Sequence, residues 1–326
     1  MSSPIADLSY RGYDGPLESP TFRWWVIARM SIRLAFKKKI YWVLTGLSGI
    51  YYLIIMMIIF FMEQLSTSGA PQAEQGFFQF MGRIVWKDQF LHAISSGQLW
   101  YLFLALLLGA GSIANDNRAN ALLVYLSKPA NKTDYILGKW MGIFLPLLIS
   151  MAIPTLFFWF YGALSYRPYS FLSNDPWIIF KMALVLPLCS AFYSSIALFF
   201  SSLFKQGRIA GATMAGLYFI TNIFTQMMAL SWAISQQVGR RRPDEDFTRI
   251  VDAMKNMYYA SIDGVNIGMA KAILGTDGSP YFGIPSPVRS VPAPSLIGVL
   301  LIMFVLSGLF VWIAWKRIRA VEVVGG

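Results

Sequence analysis

The sequence predicts an all-α, polytopic membrane protein: six transmembrane helices, an N-terminal helix lying in the membrane interface, and both termini in the cytoplasm. Three observations predict it. The composition is 56% hydrophobic, 16% aromatic and only 13% charged, far from the roughly 25% charged residues of a soluble domain, and the mean hydropathy is +0.53. Six stretches reach the length of about 20 apolar residues that a helix needs to cross a bilayer. The cations, finally, are distributed asymmetrically between the segments that join those stretches.

The first 39 residues form a tail and an amphipathic helix. "YRGYDGPLESP" carries too much Gly and Pro to be helical. "TFRWWVIARMSIRLAFKKK" is different. At 100° per residue Arg23, Arg29, Arg33 and Lys37 share one arc and Trp24, Ile27, Ala28, Ile32 and Ala35 the opposite one. Basic heads on that pattern meet anionic lipid while the apolar arc enters the acyl boundary, at a depth that suits Trp24 and Trp25. The first apolar run begins only at Ile40, is long enough to span and has no small-residue cleavage pattern behind it, so it reads as an anchor and not a leader.

The predicted transmembrane domain covers residues 40–315, with spans at Ile40–Met62, Ala93–Ala114, Trp140–Leu164, Trp177–Phe204, Ile209–Ile234 and Ser295–Trp315. Lys181 snorkels near the start of the fourth. Backbone polar groups in lipid have to be satisfied internally, so Pro146, Pro154 and Pro187 read as bends packed against neighbours. With the N-terminus inside, seven Lys/Arg fall in residues 1–39, four in the 115–139 loop, two in the 205–208 turn and three in the 316–326 tail. The short outer segments hold only Arg83, Lys87 and Arg167, as the positive-inside rule requires. The 235–294 segment has seven cations nearly balanced by six acids, and long loops escape that rule, so it is placed outside. In "QGFFQFMGRIVWKDQFLHAI" and in that segment, amphipathic stretches predict interfacial helices, the one in the 235–294 segment broken at Gly264, which either lid the outer exit or lie on the outer leaflet with no gating role.

Several functions are excluded. One cysteine, Cys189, and one histidine, His92, provide no disulfide framework and no metal cluster; Cys189 reads as a small buried hydrophobe and His92 as a polar residue at a span's outer edge. The net charge of +11 is explained by the membrane and not by a nucleic-acid partner. The predicted span cores contain no His, Asp or Glu, which argues against an intramembrane enzyme. No G-x-x-x-x-G-K-[ST] loop occurs, so this chain has no such device for cradling nucleotide phosphates.

The loop "NDNRANALLVYLSKPANKTDYILGK" is the most informative segment. A helix is expected from about Arg118 to Leu126, stopped by Pro129, with Thr133 and Asp134 capping the entry into the third span. Leu122, Leu123, Val124, Tyr125 and Leu126 are too few to cross a bilayer, yet cover more of that helix than one membrane-facing stripe needs, so part of the surface should meet protein. With Asp116 ahead of the apolar knob, "LSKP" (Leu126, Ser127, Lys128, Pro129) behind it, and Gly138 and Lys139 entering the third span, the chain resembles the permease subunit of a type-2 ABC exporter. The similarity extends to the amphipathic arm, the six spans and the large outer segment. It implies a coupling helix, built around Asp116, Arg118, Leu122, Leu123, Tyr125, Leu126, Lys128 and Pro129, docking on a separate cytoplasmic ABC ATPase. It places no cofactor in this chain, ATP and Mg being held by that partner, and it implies a bacterial cytoplasmic membrane and a second permease copy or paralogue.

Two features of the fifth span bear on that assembly. Gly207, Gly211 and Ala215 repeat every four residues, as do Ala212 and Gly216, a pattern that lets helix backbones approach closely. It serves either packing within one chain or, as the resemblance implies, the face toward the second permease. Thr221, Asn222, Thr225 and Gln226 are the most polar group in any apolar stretch and are the candidates for lining a transport path. Two functions fit the whole: a permease powered by ATP hydrolysis elsewhere, or a membrane subunit of the same architecture that moves an outer-face accessory protein and passes no substrate.

Overall fold

The computed structural model describes residues 22–67, 71–119, 131–165, 175–239, 257–278 and 291–318. Within these the chain is helical: α1 Arg23–Lys37, α2 Lys39–Ser48, α3 Ile50–Ser66, α4 Pro71–Arg83, α5 Trp86–Gly109, α6 Ala114–Arg118, α7 Lys132–Ser165, α8 Ile178–Leu203, α9 Gly207–Gly239, α10 Ile262–Leu274 and α11 Leu296–Arg317. Four of them are long and apolar enough to cross a membrane, namely α5 with its extension through α6, α7, α8 and α11. The pair α2 and α3, bent by 50°, makes a fifth candidate span. The remaining predicted span, the fifth in chain order, is a 33-residue helix, α9. It is not among the candidates among the described residues, and Thr221, Asn222, Thr225 and Gln226 interrupt its apolar surface.

Helix α1 is amphipathic, but its predicted apolar arc meets protein before lipid. Ala28 and Ala35 are buried, and the opposing wall is α7, where a Cβ at Gly138 would lie 2.7 Å from the Trp24 carbonyl oxygen and one at Gly142 would lie 2.6 Å from Ser31 Cβ. Small residues four apart on α7 thus let the two backbones touch. Phe22, Val26, Met30 and Leu34 form a second apolar row, exposed on the chain.

The first span bends at Gly49 without a proline. A Cβ there would fall 2.5 Å from Pro154 Cβ, so the glycine lets α2 and α3 wrap the third span. Tyr41 donates to the Pro146 carbonyl at 2.8 Å, and Tyr52 stacks on Phe158 with centroids 4.8 Å apart. Pro146 and Pro154 lie inside the continuous α7, and Pro187 inside α8.

Two expectations for the outer segments change. The stretch 76–95 is not one surface helix: α4 ends at Arg83 and the second span starts at Trp86, earlier than Ala93. Phe77 and Met81 turn one side of α4 into the core, and His92 is fully buried instead of lying at a polar edge. The segment after residue 256 departs further. Helix α10 is buried along nearly its whole length, from Ile262 to Lys271 and again at Leu274, and it packs among α5, α8, α9 and α11. Gly264 does not break it. It sits in the first turn, where its N–H donates to the Ser261 cap at 2.8 Å and a Cβ would lie 2.5 Å from the Tyr258 carbonyl.

Candidate functional site

One end of the bundle carries the base of the 115–139 loop. After α5 the chain makes a turn from Ala110 to Ile113 before α6, and a turn inside a packed bundle leaves backbone groups to be satisfied. Ser201 of α8 does so: its hydroxyl accepts from Ile113 N at 2.9 Å and Ala114 N at 3.1 Å, and donates to the Ala110 carbonyl at 3.0 Å. Asp116 then faces the start of the third span. Its Oδ2 lies 2.6 Å from Lys139 Nζ and accepts from the Tyr135 hydroxyl at 2.8 Å. Lys139 also lies 5.5 Å above the Tyr135 ring. The pair is only partly exposed, 19% for Asp116 and 11% for Lys139, so it is less screened than an open surface bridge.

The other root of the loop is closed by Asp134, which accepts from Asn131 N at 3.2 Å ahead of α7. That is the backward half of a capping box. Both ends of the 120–130 segment are therefore tied to the bundle. Of the residues assigned to ATPase coupling, Asp116 lies in this cluster and Arg118 is exposed at the end of α6. Leu122, Leu123, Tyr125, Leu126, Lys128 and Pro129, together with the expected 118–126 helix beyond Ala119, lie outside the described residues.

The small residues of α9 divide. A Cβ at Gly207 would meet Gly111 Cα at 2.9 Å, and one at Gly211 would meet Ala110 Cβ at 3.3 Å, so both face this chain's own second span. Gly216 faces open space within 4 Å, and Ala215 beside it is half-buried.

Deeper along α9, the structure brings Asn222, Thr225 and Gln226 to one cavity of about 390 Å³ with Ser95, Gln98, Tyr218 and Asp263. Thr221 does not line it; its hydroxyl bonds back to the Leu217 carbonyl at 2.9 Å. Sequence reasoning missed the centre of the cavity, Asp263, because it treated α10 as an outer surface helix. Asp263 Oδ2 accepts from the Tyr218 hydroxyl at 2.7 Å and from Asn222 Nδ2 at 2.6 Å, and Oδ1 lies 3.3 Å from the Tyr193 hydroxyl. Tyr193 donates its short bond, 2.6 Å, to Gln98 Oε1. Burial pushes the Asp263 carboxyl up to about 6, against the pull of the Tyr218 and Asn222 donors and the nearby Tyr193 hydroxyl. Only three residues of α10 are strongly polar, Asp263, Asn266 and Lys271. So thin a polar face fits a buried helix better than a surface one, and that was the available signal.

At the opposite end of α5 the same helix is latched down. Lys87 Nζ donates to the Gly275 carbonyl at 2.6 Å, Thr276 donates to Asp88, and the buried Lys271 donates to the Val291 carbonyl at 2.6 Å. Among the described residues no group of three or more His, Cys, Asp or Glu could hold a metal.

A loop tied at both roots between the second and third spans, an amphipathic first helix and a polar cavity between helices are consistent with a transport permease. The family model described as ABC-2 family transporter protein matches residues 25–310. The chain belongs to the ABC-2 transporter family. It is the membrane component of an ABC transporter, a multi-pass permease, and the resemblance carried by Asp116, "LSKP" and Gly138-Lys139 is correct at the family level. A comparison with individual characterised proteins gives no match. Membership of the ABC-2 family implies an ABC ATPase partner and, typically, a dimeric assembly.

Proposed function

We propose that this ABC-2 permease is an exporter subunit of a bacterial cytoplasmic membrane, driven by a separate cytoplasmic ATPase that holds ATP and Mg and docks on the 120–130 segment. The observation that carries the proposal is the fastening of that segment's two roots. Asp116, Tyr135 and Lys139 join the second span to the third, Ser201 joins the turn to the fourth, and Gly138 and Gly142 seat α1 on the third. A force applied between the roots reaches three spans and α1 together, with no slack element between.

The apolar residues Leu122, Leu123, Tyr125 and Leu126 suit a socket on the partner, with Arg118 and Lys128 for its polar rim and Pro129 beside them. ATP-driven closure of two ATPase subunits then shifts the bundle between two access states. A second permease, identical or paralogous, covers the face of α9 that carries Gly216, and cargo moves past Asn222, Thr225 and Gln226. The test is Leu123→Asp in the assembled complex. Membrane insertion stays normal and substrate-stimulated ATP hydrolysis disappears; hydrolysis at the wild-type rate rejects docking through this segment.

A further inference from the structure

Several features outside the loop invite a role. An apolar groove between α7, α8 and α11 is lined by Trp140, Trp312 and Trp315, but nothing shows what fills it. The Lys87, Asp88 and Lys271 latch satisfies itself through Gly275, Thr276 and Val291. The cavity around Asp263 is different, because it holds a carboxylate, an unspent amide atom and an aromatic wall.

Asp263 is 7% exposed and Gln98 2%. Among the described residues Asp263 is the only charged one lining the cavity, whose other described walls are hydroxyls, amides, apolar groups and the rings of Tyr218, Phe219 and Tyr258. A buried carboxylate without a cation beside it attracts one. Gln98 supplies the second, independent observation: one end of its amide bonds Tyr193, while the other, Nε2, has no partner among the described residues. An amide's oxygen and nitrogen are told apart only by their partners. In either orientation a fully buried polar atom of Gln98 is left for a guest. Aromatic faces near a carboxylate favour organic cations, and about 390 Å³ lies in the range of sites for drug-sized molecules.

We infer that the Asp263 cavity binds an organic monocation, with Asp263 as counter-ion, Tyr218, Phe219 and Tyr258 as the aromatic wall, and Gln98 as an added polar contact. This rests on the permease reading and names the substrate class for it. The cavity opens where Ser96, Leu99, Phe219 and Gln226 are exposed, so the guest enters sideways, from between α5 and α9. Among the described residues the groups that face Asp263 are Tyr193 from α8, with Cys189 behind it, Tyr218 and Asn222 from α9, and Gln98 from α5, with Tyr258 lining the same cavity. Lys87, Asp88 and His92 lie further up α5, Lys271 lies two turns along α10, and α11 brings no charged residue before Lys316.

The experiment uses the full chain in phosphatidylcholine nanodiscs, without the ATPase, and radiolabelled tetraphenylphosphonium at pH 8, with empty discs subtracted. The expected result is a saturable site that Asp263→Asn weakens about tenfold or more and Phe219→Ala several-fold. Tetraphenylborate, of the same shape and opposite charge, should not compete. Taking the wild type from pH 8 to pH 5 should release the cation as Asp263 takes up a proton. Absence of a saturable component, equal competition by the anion, or wild-type affinity in both variants overturns the inference. Should Asp263→Asn not be recovered folded, Phe219→Ala, altered at a 45% exposed side chain, and the wild-type pH series decide. Hydrolysis by the Leu123→Asp complex is read separately, so failure of cation binding leaves the docking result standing, and the reverse.

Discussion

A single methyl group at residue 138 should loosen the machine. In a helix interior Gly→Ala is normally favourable by up to about 1 kcal/mol, so propensity alone predicts that Gly138→Ala stabilises the chain. The packing predicts the opposite. The added Cβ would stand 2.7 Å from both Ile27 Cβ and the Trp24 carbonyl oxygen. Ordinary carbon contacts need roughly 3.5 to 4 Å, and a backbone carbonyl cannot rotate away as a side-chain end can. Helix α1 therefore has to move outward by the better part of an ångström, at the cost of about 1–3 kcal/mol typical of overpacking, which exceeds the propensity gain in most of that range. Gly46→Ala is the control, since a Cβ there meets nothing within 4 Å. Thermal unfolding of the two variants, followed by Trp fluorescence in one detergent, should move in opposite directions, with Gly138→Ala melting several degrees lower. In the assembled complex it should also reduce substrate-stimulated hydrolysis while leaving basal hydrolysis in place. A melting point raised as in the Gly46→Ala control would refute the claim that α1 is seated on the third span.

Other outcomes follow from the same contacts. Ser201→Ala removes the acceptor for Ile113 N and Ala114 N, and at about 1–3 kcal/mol for an orphaned buried donor it should speed hydrogen exchange at residues 110–114 while Ser202→Ala, whose hydroxyl bonds only the Phe199 carbonyl among the described contacts, does not. Lys139→Met and Asp116→Asn should each lower coupling between ATPase and permease, and a double-mutant cycle should show them non-additive by about 1 kcal/mol, the top of the range for surface pairs because the pair is partly buried. For Asp263 the folded value of about 6 stands above the unfolded 3.8, so the folded state holds the proton more tightly. Its contribution is complete below pH 3.8 and is lost as pH rises through about 6, at most about 3 kcal/mol at 1.4 kcal/mol for each pH unit. Asp263→Asn should flatten that part of the stability profile. Lys271 has the opposite sign: burial lowers it to about 8 from 10.5, so its stabilising effect is full above pH 10.5 and is lost as pH falls through about 8, and Lys271→Met should remove that slope.

Much of the membrane architecture was legible because lipid imposes simple rules. Apolar runs of fixed length gave the third, fourth and last spans to within a few residues at most ends, since α7, α8 and α11 cover Lys132–Ser165, Ile178–Leu203 and Leu296–Arg317. The bend at Gly49 was not legible. It depends on Pro154, more than a hundred residues away, and on a side chain's absence, which periodicity cannot report. The second span's early start at Trp86 was hidden for a related reason. Asp88, Gln89 and His92 look like surface residues in one dimension, yet Gln89 accepts from Tyr51 at 2.5 Å and Asp88 from Thr276, partners that only the fold supplies.

The candidate site divides along the same line. Asp116 and Lys139 were singled out by the resemblance to a type-2 ABC exporter permease, and in the structure each lies next to the other. Asn222, Thr225 and Gln226 were found because polar groups in an apolar helix have to face something wetter or stickier than lipid. What they face was unreadable while α10 counted as a surface helix. A surface helix needs one polar face; "IDGVNIGMAKAIL" has three strongly polar residues in thirteen, and each meets a group from another element: Asp263 meets Tyr193, Tyr218 and Asn222, Asn266 meets Gln98, and Lys271 meets Val291. A helix whose few polar groups all find partners inside is part of the core, whatever side of the membrane its sequence neighbours occupy. Carrying Asp263 inward on that helix gives a bundle with no acid in its predicted span cores one carboxylate at the wall of its cavity, and this makes charge selection of cargo physically available to the permease.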